Sequence, residues 1–307
     1  MAFSATEAAF EGFRLVRRNP LVLVAWTVLY AVVSLAALFA MAPVVEQLVG
    51  WQEEARTLRE GAEPGIDAVW SMMAEFGGIM IQMAWLIPVA MVVEAMMAAA
   101  VARGVLRPRN GAFGYLSLGM DEVRVLVVTF VLGLFMILAC VAVSVAFGVV
   151  VAAARSAGAG GWIGLIVFLG LLAGVWLLIW LAVRLSLAVP ITVAEQRFAF
   201  FDSFALTKGR FWPLLGMAVI AIVMVIIIEL LSSIVSMPVG VMSGLESPAW
   251  GSNPSPEHLR AMLDSSNPWV ILSVVIESVV KALTVGVIYA PFAAAYRGIK
   301  GAQAPAG

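Results

Sequence analysis

The sequence predicts an all-α polytopic membrane protein of six transmembrane helices with both termini in the cytoplasm. Three observations carry that expectation. Hydrophobic residues make up 63 % of the 307 residues and charged residues only 12 %, with a mean hydropathy of +1.04. A soluble domain carries roughly 25 % charged residues, and half that number cannot cover a water-facing surface of this size. Six apolar runs each reach the ~20 helical residues that cross a ~30 Å hydrocarbon layer. The basic residues segregate to one side of those runs.

The runs cover about 21–42, 77–102, 125–154, 162–190, 211–238 and 269–296. Helices follow because backbone polar groups in lipid must be paired within their own segment, and a β-barrel would instead show ~10-residue alternating segments. The first run follows Arg17 and Arg18 and ends near Ala40-Met41-Ala42, as a signal peptide would. It is longer than the ~7–15 residues of a signal core and has an amphipathic stretch before it, so an uncleaved span is expected. Thirteen of the 18 Lys and Arg lie at the N-terminus, the C-terminus and the loops after spans two and four, and four lie on the other side. Positive-inside asymmetry then puts both termini in the cytoplasm, in a bacterial inner membrane. The opposite side is acidic, with Glu53, Glu54, Glu60 and Asp67 in one loop and Glu246, Glu257 and Asp264 in another.

The residues entering spans one, three and five share a pattern, F-x-x-[FL]-x-L: Phe10 to Leu15, Phe113 to Leu118 and Phe201 to Leu206. Spans two, four and six each close on an arginine, Arg103, Arg184 and Arg297. The chain therefore reads as a single membrane domain of three repeats, about 1–105, 106–192 and 193–300, with 301–307 as a disordered tail. Each unit is an interfacial helix, a span out and a span back. In the first entry segment Phe3, Phe10, Phe13 and Val16 fall on one helical face, and Glu7, Arg14 and Arg18 on the other. Aromatic residues beside cations suit a headgroup boundary with anionic phospholipid. That makes Arg14, Arg17, Arg18, Arg103, Arg184, Lys208, Arg210 and Arg297 the candidate interfacial residues, against the plain alternative that these segments only turn the chain back into the bilayer. In the outer loops, 43–76 is expected to hold a solvated helix, and 256–263 a short helix that carries the single histidine, His258, as an inert surface residue.

Charges inside spans are rare and functional by default. Glu94, Glu229, Glu277 and Lys281 are the four here. At 1.5 Å per residue Glu94 lies ~13 Å from Arg103, and Lys281 ~18 Å from Trp269, so the two reach similar depth, while Glu229 nears the outer boundary. Glu277 and Lys281 have i, i+4 spacing in the favourable order. One reading is a polar path or headgroup pocket lined by Glu94, Glu277 and Lys281; the other is a neutralised pair that fixes packing. Pro88, six residues before Glu94, is placed to kink span two. Gly160/Gly164, Gly170/Gly174 and Gly240/Gly244 have the small-residue spacing that permits close helix contact.

The stretch from Pro190 to Trp212 contains Ser203, Leu206, Thr207, Lys208, Gly209, Phe211 and Trp212 in the order S-x-x-L-T-K-G-x-F-W. It resembles the membrane domain found beside glycerophosphodiester phosphodiesterase domains in bacteria, and related stand-alone families of inner-membrane proteins. The ending from Ala293 to Arg297 is also similar. The resemblance implies an all-helical inner-membrane protein. It does not imply the phosphodiesterase chemistry, which needs a soluble barrel with histidines and metal-binding carboxylates.

An enzyme is the least supported class. The lone Cys140 and lone His258 are far apart, and no phosphate loop, metal spacing or cofactor motif is present. A net charge of −1 gives no field directed at nucleic acid. The first expectation is a non-enzymatic, lipid-interacting accessory or scaffold protein of the cell envelope, its partners phospholipid and either an envelope protein or a second copy. The second is a transporter of a small solute or lipid that uses Glu94, Glu277 and Lys281.

Overall fold

The computed structural model describes residues 4–60, 65–107, 112–117, 119–158, 160–242, 260–261, 264 and 266–303. It is 90 % helical, with no strand among the described residues. Short helices α1 (Ala5–Ala9) and α2 (Glu11–Arg18) precede α3 (Pro20–Glu60). Then come α4 (Ile66–Met83), α5 (Leu86–Leu106), α6 (Met120–Ser156), α7 (Ile163–Leu185), α8 (Ala188–Glu195), α9 (Asp202–Thr207), α10 (Phe211–Met242) and α11 (Pro268–Gln303). Six segments are long and apolar enough to cross a membrane, matching the six predicted runs. Large apolar side chains stand outward along them; on α10, Val219, Ile222, Ile226 and Leu230 are each at least half exposed. An apolar surface of that extent needs a lipid solvent.

The helices overrun the predicted spans. α3 has 41 residues and a length of about 60 Å, twice a hydrocarbon layer. The predicted loop helix of 43–76 is thus the end of α3 together with the start of α4. Helix α11 runs on through Gly301–Gln303; the rest of the expected tail, 304–307, lies outside the described residues, as do His258 and most of the expected helix at 256–263.

Two spans are broken, and the breaks obey one rule. A proline cannot donate to the carbonyl four residues back, and its ring crowds that carbonyl. Four residues before Pro88 is Ala84, where α4 gives way to α5; four before Pro190 is Ser186, where α7 gives way to α8. α3, α10 and α11 run on through Pro43, Pro238 and Pro291.

By contact density the chain forms two compact units. The first comprises Met1–Leu15, Glu94–Ile222 and Gly286–Gly307, the second Val16–Val93 and Val223–Val285. In the first unit α6 packs on α7 and α8. Gly170 and Gly174 make the α6–α7 approach possible: a Cβ on Gly170 would lie 2.6 Å from the Phe147 ring, and one on Gly174 2.9 Å from Val143. This pair of the glycine spacings thus serves contact within the chain. Gly12 lies against the backbone of Gly286 and Val287. The core of this unit is small and aliphatic, with Met97, Ala99, Val101, Leu187, Ile191 and Ala293 fully buried. In the second unit α3 packs on α4. Trp51 Nε1 donates to the Met72 carbonyl at 3.0 Å, its ring meets Phe76 at 4.8 Å, and Gln82 donates to Gln47 at 2.9 Å.

One entry segment departs from the expected amphipathic helices, while the first is helical in α1 and α2. Between Ala112 and Tyr115 the chain is a left-handed turn, with φ of 52° at Phe113, 70° at Gly114 and 62° at Tyr115. In the first segment the packed face is Ala8, Glu11, Gly12 and Leu15, while Phe10 and Phe13 point outward.

Candidate functional site

The site with the most built-in order lies at the basic end of the first unit, where the S-x-x-L-T-K-G-x-F-W stretch folds against the broken fourth span. Breaking the helix at Ser186 leaves backbone groups of that turn without helical partners. Ser203, fully buried on α9, supplies them: its Oγ donates to the Arg184 carbonyl at 2.6 Å and accepts the Leu187 N–H at 3.1 Å. Thr207, one turn later and equally buried, donates to the Ser203 carbonyl at 2.8 Å. Arg184 Nη1 donates to the Phe204 carbonyl and to Thr207 Oγ1 at 3.3 and 3.4 Å, and its guanidinium stacks 5.4 Å from the Trp180 ring centre. Gly209, at φ +76°, turns the chain into α10. Phe211 and Trp212 then pack on Trp176 at 5.8 and 5.9 Å.

The other two exit arginines do comparable work. Arg103 donates from Nε and Nη2 to the Tyr115 carbonyl at 3.2 and 2.7 Å and forms an ion pair with buried Glu122. Glu122 also accepts from Ser117 and from the Gly119 N–H, both at 2.9 Å, which caps α6. Arg297 pairs with buried Glu11 at 3.0 Å and donates to the Val105 carbonyl at 2.9 Å. The three arginines therefore grip the entry segments in cyclic order: Arg103 holds the second, Arg184 the third and Arg297 the first.

Two further groups tie the same end together. Arg107 donates to the Val193 and Ala194 carbonyls at 3.1 and 3.2 Å and so caps α8. Glu195 accepts from Tyr296 at 3.1 Å and pairs with Lys300 at 3.0 Å and Arg197 at 2.7 Å. Arg197 also pairs with Asp202 at 2.7 Å, and these two carboxylates raise its pKa further.

The eight interfacial candidates thus divide. Arg103, Arg184 and Arg297 clamp entry segments within the chain, Arg297 from an exposed position. Arg14 pairs with Glu11 at 3.6 Å, and Arg210 donates to the Leu206 carbonyl at 3.4 Å. Arg17, Arg18 and Lys208 are exposed and form no hydrogen bond or ion pair with the described residues.

The four intraspan charges are all exposed on their helices. In the first unit Tyr289 donates to Glu94 at 3.5 Å. In the second, Thr284 donates to Glu229 at 3.4 Å. Glu277 and Lys281 form no ion pair with each other; the ion pairs of the described residues do not include them. Their favourable spacing therefore does not make them a neutralised pair.

Beside Tyr289 lies a half-open, largely apolar cavity of about 350 Å³ between α5, α6, the α7–α8 break and α11. Ala98, Met136, Leu185, Pro190 and Phe292 form walls, and Thr129, Ser186 and Tyr289 add hydroxyls. Its volume lies at the lower end of the roughly 300–1,000 Å³ of small-ligand sites.

Among the described residues no group of three His, Cys, Asp or Glu could hold a metal ion. Comparison with known protein families, with curated proteins and with solved structures finds no match. Sequence reasoning did not single out Glu11, Glu122, Arg107 or Tyr289, because nothing local marks a carboxylate for burial. Ser203 and Thr207 stood out only as members of the motif.

Proposed function

We propose that the protein is a non-enzymatic, lipid-interacting accessory or scaffold protein of the bacterial inner membrane, with both termini cytoplasmic. The observation that carries this reading is the apolar cavity beside the α7–α8 break. Its walls match an acyl chain, and its few hydroxyls, with Tyr289 bonded to Glu94, suit the glycerol region rather than a water-filled path. The three arginine clamps support the scaffold part. They spend cations on fixing the fold and leave Arg17, Arg18 and Lys208 to meet anionic headgroups or a partner. The resemblance of 190–212 to the phosphodiesterase-associated membrane domain agrees with this reading, and its polar residues have a structural task in the clamp. Lipid retention tests it. Filling the cavity with Ala98→Leu should lower the phospholipid retained by purified protein severalfold, while retention equal to wild type would count against the cavity as the lipid site.

A second reading, transport of a small solute or lipid, is favoured by one observation. The cavity sits at a proline-broken span, and discontinuous helices line many transporter sites. It predicts that Glu94→Gln abolishes flux in liposomes while the protein still folds.

A further inference from the structure

Glu277 and Lys281 carry opposite charges on one exposed face of α11, a single helical turn apart. By rise they lie ~12 and ~18 Å from Trp269, deep in a ~30 Å hydrocarbon layer. At that depth a lysine stem does not reach either boundary by snorkelling. Among the described residues neither side chain has an ion pair or hydrogen bond. Glu229, also exposed, belongs to the same part of the second unit: Thr284, three residues beyond Lys281, donates to it at 3.4 Å. An acyl chain answers none of these charges, and a charge left facing lipid is costly.

Charge selects what covers this face. One acid and one base at i, i+4 make it complementary to itself under a two-fold axis: Glu277 of one copy meets Lys281 of the other, and the reverse. Copies inserted in one membrane run parallel, so the axis lies along the membrane normal. The two charges then differ in height by about 6 Å across the interface, an offset like that of the flanking charge pairs in parallel coiled coils. Ser273 and Thr284, about one turn to either side, are small enough to let two helices approach. An unrelated helix would have to present the matching base and acid at the same depths, whereas a second copy supplies them by symmetry. We infer that the Glu277–Lys281 face of α11 is the interface of a homodimer within the membrane, with two reciprocal ion pairs at its centre. This dimer does not depend on the lipid-interacting reading, whose cavity lies in the first unit.

The test is Förster transfer between donor- and acceptor-labelled full chains in phosphatidylcholine liposomes, read against lipid dilution. The label sits at Gln303→Cys in a Cys140→Ala background. Transfer in this background should fall with dilution through a dissociation midpoint. Glu277→Lys alone, or Lys281→Glu alone, sets like charges against each other and should weaken association about tenfold. Mixing the two single variants rebuilds both pairs and should restore transfer, a rescue that a folding or insertion defect does not produce. Glu277→Lys and Lys281→Glu together in one chain keep the charge composition and should associate as the parent does; that variant carries the test if the single ones do not insert. No transfer at any dilution, equal transfer in the parent and both single variants, or no rescue on mixing would overturn the interface, as would loss of association in the swapped chain. In native membranes Ser273→Cys should cross-link to a second copy. Capture of a different protein, without a cross-linked pair of this chain, would overturn the choice of occupant.

Discussion

Ser203 shows how one hydroxyl can hold a membrane helix break together. It satisfies one donor and one acceptor of the turn that Pro190 opens, from a fully buried position. Ser203→Ala leaves the Leu187 N–H and the Arg184 carbonyl unmet and should destabilise the protein by about 2 kcal/mol, seen as a lower melting midpoint in nanodiscs. Arg103 and Glu122 form the most enclosed ion pair among the described residues, with side chains 12 % and 6 % exposed. Arg103→Met strands a buried carboxylate and should cost about 3 kcal/mol, while adding Glu122→Met should recover much of that loss. A double variant no more stable than the single would show that the pair is not the source of the cost. At the acidic side, Arg260 pairs with Glu46 at 3.0 Å and holds its carboxyl below the ordinary 4.5. The folded-state pKa is depressed, so the contact contributes above 4.5 and is lost as pH falls through the lowered value. A nitroxide at position 261, in a Cys140→Ala background, should be slowed at neutral pH and freed in acid; Arg260→Ala should free it at both.

At the scale of elements, backbone rules explain more than propensity does. Both span breaks fall four residues before a proline. Pro190→Ala should let α7 and α8 fuse through Ser186 and pull Leu187 away from Ser203. Slower amide exchange at 186–188 would report the fusion, and unchanged exchange would contradict it. Gly12 on α2 is a contact glycine, since an added Cβ would lie 2.5 Å from the Gly286 carbonyl oxygen. Gly12→Ala should therefore cost about 1–3 kcal/mol. These elements also show what the sequence could carry. Length and apolarity located all six spans because the bilayer fixes both. The entry motifs and exit arginines were visible as separate signals. Their cyclic pairing was not, because it joins residues up to 286 positions apart. The second entry segment escaped helix formation because the chain turns left-handed at Phe113, Gly114 and Tyr115, and the apolar pattern alone hides that turn.

For the whole molecule, the asymmetry of charge is the strongest topological signal, and membrane-impermeant labelling reads it directly. In a Cys140→Ala background, cysteines at Ser4 and Gln303 should label only after permeabilisation, and one at Glu53 should label in intact cells. The claim that most needs testing is that this fold holds lipid. Native mass spectrometry of the protein extracted together with its surrounding membrane addresses it most directly. A defined phospholipid retained in fixed ratio, with or without a stoichiometric protein partner, is the predicted result. A bare chain that carries no lipid under conditions that keep it folded would contradict the account.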